Sequence, residues 1–431
     1  MSAAAADAAY LTDGTELMEP QRYARDGYPH ALWRRMRRES PVHWCDGPEL
    51  VPFWAVTRHA HVCEVSKQPD KFLSAPGIVP ATKEVAERIA RGERGPFDAM
   101  QTIITMDPPK HRTIRKVASP WFTPQALARI DEVVGASAQR LVDRLYESQV
   151  NGEGTCDFAT EVAAQHPLRI LSTILGVGEA DEPHILRLTQ ELFAGDDPEF
   201  KRPEADRQEA FRKLGIEFLQ YFGKVIADRR ARPRGDLASV LANARIDGGP
   251  MGDVETLGYY LIVFTAGHDT TRNAIAGGML ALLEHPAQAA ALRADPAGRV
   301  AGAVEEIVRW TTPVNYMMRT AACAYELGPA KIRKGDRLVL YYASANRDED
   351  VFEDPDVFRI DRDPNPHLGF GIGEHFCLGA NLARRSQRTL FASLFARLEH
   401  AELAAPPERL AASFVAGVKH LPLRYRLKPP A

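Results

Sequence analysis

Cysteine is scarce in this chain: five residues in 431, at Cys45, Cys63, Cys156, Cys323 and Cys377, with no CxxC pair among them. That scatter argues against a zinc knuckle and against a redox dithiol. It suits a reducing cytoplasm, which is the expected compartment. Long hydrophobic runs are missing too. No uncharged apolar stretch reaches the ~18 residues a membrane span requires, and the longest, near Tyr259 to Ala266, falls well short. The opening MSAAAADAAYLTDG lacks the basic stretch and apolar core of a secretory signal. Charge of one sign is not in excess: the net value is −3, which gives no electrostatic case for a nucleic-acid partner. No GxGxxG or Walker spacing is completed, so a phosphate cradle is a weak reading of the glycines. There is no internal repeat, and no Pro/Ser/Gly linker divides the chain.

What is there is ordinary for a folded protein: 45% hydrophobic and 26% charged residues. The length alone would suggest two domains, but without a linker one large fold is favoured. Residues 1–20 are expected to be a flexible N-terminus and 21–431 one domain. Apolar residues spaced by three and four predict helices over Ala126 to Glu147, Arg207 to Arg230 and Gly298 to Arg309. Met251 to His285 is apolar nearly all round, as in a helix buried through the middle of a fold, and Pro286 marks its end. Strand-like composition is confined to short pieces such as Phe53 to Val56 and Arg337 to Tyr342. Pro364 to Gly373 reads as loop.

The densest signal is Phe370-Gly371-Ile372-Gly373-Glu374-His375-Phe376-Cys377-Leu378-Gly379, followed by a good helix start at Ala380. A cysteine just before a helix meets free backbone N–H groups and the positive end of the dipole, and both favour thiolate. Gly371 and Gly373 permit a tight turn and let a flat ligand lie near the backbone. Such a thiolate is a suitable axial ligand for haem iron. For a cysteine taken alone, a buried structural role beside a turn remains the larger share. A second signal is Ala266-Gly267-His268-Asp269-Thr270-Thr271, midway along the long helix. Asp, Thr and Gly are poor choices there. The Thr270 hydroxyl can bond back to the Ala266 carbonyl, loosening the ladder into a notch, and Gly267 leaves space beside it. A polar patch facing another helix is the plain alternative. Glu306 and Arg309 share a helix face at i,i+3, where a weak solvated pair is the ordinary reading.

The Phe-Gly-x-Gly-x-His-x-Cys-x-Gly run resembles the haem loop of the cytochrome P450 family, and the other landmarks follow in order from about Tyr23 to Tyr425. The resemblance implies a mainly α fold, a helical prism with small β-sheets, with haem between the long oxygen-binding helix and the cysteine-loop helix. It implies haem b as cofactor, O2 as co-substrate, and Cys377 as the ligand to the metal. Asp269 and Thr270 match the family's acid-alcohol pair and become the catalytic proton relay; His268 stays uninformative. Cofactor contacts carried over are His111, Arg115, Ala266, Gly267, Arg319, Phe370, Gly371, His375, Cys377 and Gly379. Among these, His111, Arg115, Arg319 and His375 are to hold the propionates. Glu306, Arg309 and Arg362 look like the structural trio that holds the loop.

The resemblance also implies pocket walls, by position relative to the haem: Met100, Ile103, Ile104, Phe193, Ile262, Ala266, Val314, Met317, Met318, Phe414 and Val415. Core packing is about as good a reading for any one of them. The stretches 105–111, 266–271, 344–349 and 414–420 look most like the bacterial branch that hydroxylates monoterpenoids such as terpineol. The expected reaction is hydroxylation of an unactivated C–H bond on a monoterpenoid or alkylaromatic. A fatty acid, alkane or steroid side-chain hydroxylase is the alternative within the family. A peroxide-driven peroxygenase or a haem sensor is the alternative outside it, disfavoured because the acid-alcohol pair is retained. Electrons are expected from NAD(P)H through ferredoxin reductase and ferredoxin. The docking face would be Arg112, Arg115 and Lys116 on one helix and Arg384, Arg385 and Arg388 on another, with all but Arg115 partly free. A monomer is expected.

Overall fold

The computed structural model describes residues 11–93, 102–203 and 206–430. Its axis is the helix Asp253–Glu284, 32 residues long. Asp253 and Glu255 in the first turn complement the helix dipole. Pro286, which cannot continue it, instead opens the next helix, Pro286–Ala294. Because this helix is buried along most of its length, other helices pack all round it. Its N-terminal half, through Tyr260, Leu261 and Phe264, joins a core with Gln165–Leu175, Glu182–Phe193 and Arg207–Ala231. Its C-terminal half, through Ala274, Ile275 and Met279, joins a second core with Asp131–Glu147, Pro296–Thr311 and Ala380–Arg397.

The helix expected over 126–147 is divided. A short helix Pro124–Leu127 and a tight turn Ala128–Ile130 precede Asp131–Glu147, whose first turn starts afresh on Asp131 and Glu132. Residues 11–20, placed in the expected flexible stretch, include the helical turn Thr15–Met18, whose Leu17 is fully buried.

The main sheet has five strands in the order Val42–Cys45, Phe53–Val56, Arg337–Tyr341, Tyr316–Ala321 and Phe72–Leu73. The pairing of Arg337–Tyr341 with Phe53–Val56 is parallel, and the other pairings are antiparallel. Alternation along Tyr316–Ala321 sends Met317 and Arg319 to one face, while Tyr316 and Met318 join Leu17, Trp33 and Tyr341 on the other. A three-stranded sheet of Leu398–Leu403, Pro422–Leu427 and Gly154–Asp157 closes the C-terminal side. Among the described residues no helix is long and apolar enough to cross a membrane.

Candidate active site

The loop ahead of Ala380–Arg397 turns back on itself. Gly371 and Gly373 have φ of +67° and +77°, a region that side chains other than glycine rarely adopt. Gly371 N–H donates to the Leu368 carbonyl at 2.9 Å, and Cys377 N–H donates to the Phe370 carbonyl at 2.9 Å. A side chain at Gly373 would also strike the Ser66 carbonyl, so the loop lies against the Ser66 segment. The Cys377 sulfur opens onto an interior cavity rather than onto bulk solvent. Burial pushes its thiol up, while the Gly379 N–H and the charges of Arg115 and Arg384 pull it down. A coordinated metal removes that opposition, since a ligating thiol is deprotonated by the ion's own charge.

The cavity holds about 1500 Å³ of empty space, its mouth included, between this loop and the helix Asp253–Glu284. The loop side is formed by Phe370, Gly371, His375, Cys377 and Gly379, and the helix side by Ile262, Ala266, Gly267 and Thr270. Thr270 Oγ donates to the Ala266 carbonyl at 2.6 Å, as the sequence suggests. The helix nevertheless continues unbroken through this point. The groove therefore comes from small side chains and not from an opened ladder. Gly267 lines the cavity and serves a second purpose as well: a Cβ there would come 3.0 Å from Leu171, so glycine admits the helix Gln165–Leu175.

One rim of the cavity is cationic. Arg319 is buried, no ion-pair partner lies within reach among the described residues, and burial disfavours its charge. Arg115 donates to the Phe376 carbonyl at 2.6 Å and also lines the cavity. His375 is pushed down to about 3 by burial and by its neighbours Arg319, His111 and Arg115. His111 stands behind it with ring centroids 4.2 Å apart, its Nδ1 3.2 Å from Glu374 and its buried Nε2 without a partner. A buried cation without an ion pair calls for an anionic group, and an orphaned ring nitrogen for a hydrogen-bond partner. A flat slot with a sulfur on its floor and a rim that wants carboxylates fits haem with its two propionates.

Four pocket assignments need revision. Ile103, Ile104, Ile262, Ala266, Val314 and Met317 line the cavity. Met318 does not, because strand alternation turns it to the opposite face of the sheet. Phe414 packs with Tyr316 on that same far side, ring centroids 5.5 Å apart. Val415 pairs with Val314 in an isolated bridge without reaching the cavity. Phe193 ends its helix half-buried, also outside the lining. Met100 lies outside the described residues. The walls that the sequence reading missed are Phe122, Ile170, Leu171 and Val263. The long helix's apolar run could have flagged Val263, but the others come from helices whose orientation no spacing reveals.

Asp269 is buried yet absent from the lining; it points away from the cavity, where Arg272 Nε donates to its Oδ1 at 2.9 Å. Burial opposes its ionisation, but Arg272 and His268 outweigh that and hold the carboxyl below its usual range. Glu306 and Arg309 are fully buried and not a solvated pair. Arg309 clasps the carboxylate at 2.7 and 2.8 Å, and Arg362 adds contacts at 3.2 and 3.3 Å. The remaining guanidinium N–H groups donate to the carbonyls of Asn346, Val357, Glu353 and Asp354, which pins the segment leading to the cysteine loop.

The basic face is not free. Arg112 pairs with Glu374, Arg384 and Arg388 pair with Glu305, and Arg385 pairs with Asp131. Only Lys116 of that set is exposed with no ion pair among the described residues. Glu305, unremarked beside Glu306 in the sequence, also contacts His367 at 3.1 Å.

A cysteine loop facing a long helix across a cation-rimmed slot defines a haem-thiolate architecture. Over residues 81–297 and 299–428 the chain matches the family model described as Cytochrome P450, and it belongs to that family. It is 38% identical over 413 residues to "Cytochrome P450-terp" of a Pseudomonas species, spanning 94% of this chain and 95% of the relative. It is 36% identical over 399 residues to "Steroid C26-monooxygenase" of Mycolicibacterium smegmatis, spanning 90% and 89%. The structure of Mycobacterium marinum CYP268A2 in complex with pseudoionone superposes with a TM-score of 0.86 at 34% identity, covering 96% of this chain and 99% of that one. The chain is accordingly an oxidoreductase of the monooxygenase type.

Proposed function

We propose that this enzyme hydroxylates an unactivated C–H bond of a small, uncharged hydrophobic molecule, a monoterpenoid or alkylaromatic. The observation that carries this reading is the character of the cavity away from the cationic rim. Ile103, Ile104, Ile170, Leu171, Ile262, Val263, Val314 and Met317 line it, and Arg115 and Arg319 are its only Arg or Lys residues among those described. Both belong to the rim that would hold propionates. Among the described residues no cation is therefore left to anchor a substrate carboxylate, and binding rests on apolar burial and shape. The pseudoionone complex of the Mycobacterium marinum neighbour and the name of the Pseudomonas relative point the same way.

In this reading Cys377 would ligate the haem iron, and Arg115, Arg319, His375 and His111 would hold the propionates. Haem, when bound, supplies the dioxygen chemistry. The chain's own residues supply the rest. The Gly379 N–H steadies the sulfur. Ala266 and Gly267 keep the helix wall low, and Thr270 places a hydroxyl at the cavity surface. Asp269, kept ionised by Arg272 and His268 one residue away, can take up a proton and pass it on, and the apolar wall excludes bulk water. Electrons come from NAD(P)H through a ferredoxin and its reductase. The retained acid-alcohol pair speaks against a peroxide-driven enzyme.

Two spectroscopic measurements test this. Reduced protein under carbon monoxide should show the red-shifted Soret band of a thiolate complex, and Cys377→His should abolish it. Terpineol, limonene or p-cymene should shift the ferric spin state. Large shifts with sterols or fatty acids and none with any monoterpenoid would replace this substrate reading with the steroid or lipid one.

A further inference from the structure

His268 is fully buried on the long helix, next to Asp269 and away from the cavity. Its Nε2 lies 3.1 Å from the Ala164 carbonyl. A carbonyl only accepts, so Nε2 carries a proton. Its Nδ1 has no hydrogen-bond partner and stands 3.6 Å from Asp269 Oδ1. With Nε2 protonated, a neutral ring would aim the Nδ1 lone pair at a carboxylate. A second proton, on Nδ1, removes that clash and turns the contact into an attraction. The ring is held in register by Phe264, nearly parallel to it at 17° with centroids 6.4 Å apart.

The surroundings extend the pattern. Asp269 Oδ1 also accepts from Arg272 Nε, and Arg272 Nη1 reaches the Val418 carbonyl at 3.4 Å. One turn beyond Asp269, Asn273 is buried with neither amide atom partnered. A buried amide without protein partners is normally met by ordered water. The back of the helix therefore carries a polar stripe, His268, Asp269, Arg272 and Asn273, opposite the cavity and behind Thr270.

We propose that His268 is a positioning residue that recharges Asp269 with protons from this rear side. The proposal rests on the monooxygenase reading above and assigns the supply route within it. The Nδ1 proton of His268 passes to the Asp269 carboxylate, leaving a neutral ring that still donates from Nε2 to Ala164. Asp269 then gives that proton toward the cavity. Water near Asn273 returns a proton to Nδ1. No electrons move, and the carboxylate ends each cycle as it began.

The test uses holoenzyme and two variants. His268→Gln keeps an N–H for the Ala164 carbonyl but cannot relay a proton, and His268→Phe removes both functions. Both should lower kcat about tenfold, with KM, haem content and the substrate-induced spin shift unchanged, and both should raise the solvent deuterium isotope effect. The second readout needs no turnover. In the carbon monoxide complex of the reduced protein, ¹⁵N shifts should show both ring nitrogens of His268 protonated, and Asp269→Asn should convert the ring to the neutral Nε2–H form. A wild-type rate and isotope effect in His268→Gln, or a neutral ring in the wild-type protein, would overturn the proposal. Loss of the haem signature in wild-type protein would instead sink the monooxygenase reading itself.

Discussion

Thr270 donates its hydroxyl proton to the Ala266 carbonyl at 2.6 Å, so in the resting protein the group that faces the cavity is already engaged. Thr270→Ala removes the hydroxyl but leaves the helix, whose ladder does not depend on it. Substrate-induced spin shift should stay within about twofold of wild type, while cofactor oxidation continues and peroxide accumulates in place of product. Peroxide assay against product yield is the measurement, and full coupling would show that the hydroxyl is dispensable. At this scale the sequence was most readable where chemistry concentrates in a short run. The cysteine loop and the Ala266 to Thr271 sextet stood out without knowledge of distant packing, whereas the buried role of Glu306 with Arg309 was legible only through the family resemblance. Glu305, Glu374 and Asp131 were invisible as partners, because each meets an arginine from a remote segment. Each of them neutralises part of the basic face that counting arginines along the chain seemed to promise.

Strand and helix faces decide the next level. Met317 and Met318 are adjacent in sequence and separated by the sheet. Met317→Ala should change the dissociation constants of hydrophobic ligands, read from spin-state titration, with little loss of stability. Met318→Ala should do the reverse, with destabilisation of about 2–5 kcal/mol from the cavity it leaves, read from denaturant midpoints. Equal effects of both on ligand binding would mean that the strand is not partitioned in this way. Period-two alternation was available in the sequence, but which parity faces inward depends on the pairings Leu340 with Met317 and Val339 with Met318, across a neighbour not fixed by local spacing. Long helices were legible for the opposite reason. Their signal is internal; what escaped notice were breaks, as at Ala128–Ile130, and the shorter helices Gln165–Leu175 and Glu182–Phe193.

For the molecule as a whole, acid sensitivity should centre on Glu305. Burial alone would raise its carboxyl, but His367 and Arg384 bring it down to about 2. A folded value below the unfolded one stabilises the protein above the unfolded value, near 4.5, and the contribution fades as pH falls toward 2. At neutral pH it amounts to at most about 3 kcal/mol. Glu305→Gln should therefore lower stability at pH 7 and flatten its decline between about pH 5 and 2. Urea midpoints across that range give the curve, and parallel curves for the two proteins would remove Glu305 from the account. The carboxylate joins the helix Pro296–Thr311 to Ala380–Arg397, so this loss would loosen the support of the cysteine helix.

The divided strand Tyr316–Ala321 carries a lesson about inheritance. Its odd positions Met317 and Arg319 meet whatever occupies the cavity, and its even positions Tyr316 and Met318 meet the buried layer around Trp33. A lineage descending from this protein could alter one set while leaving the other untouched. New substrates could then be acquired by small steps on a scaffold that never has to be refounded.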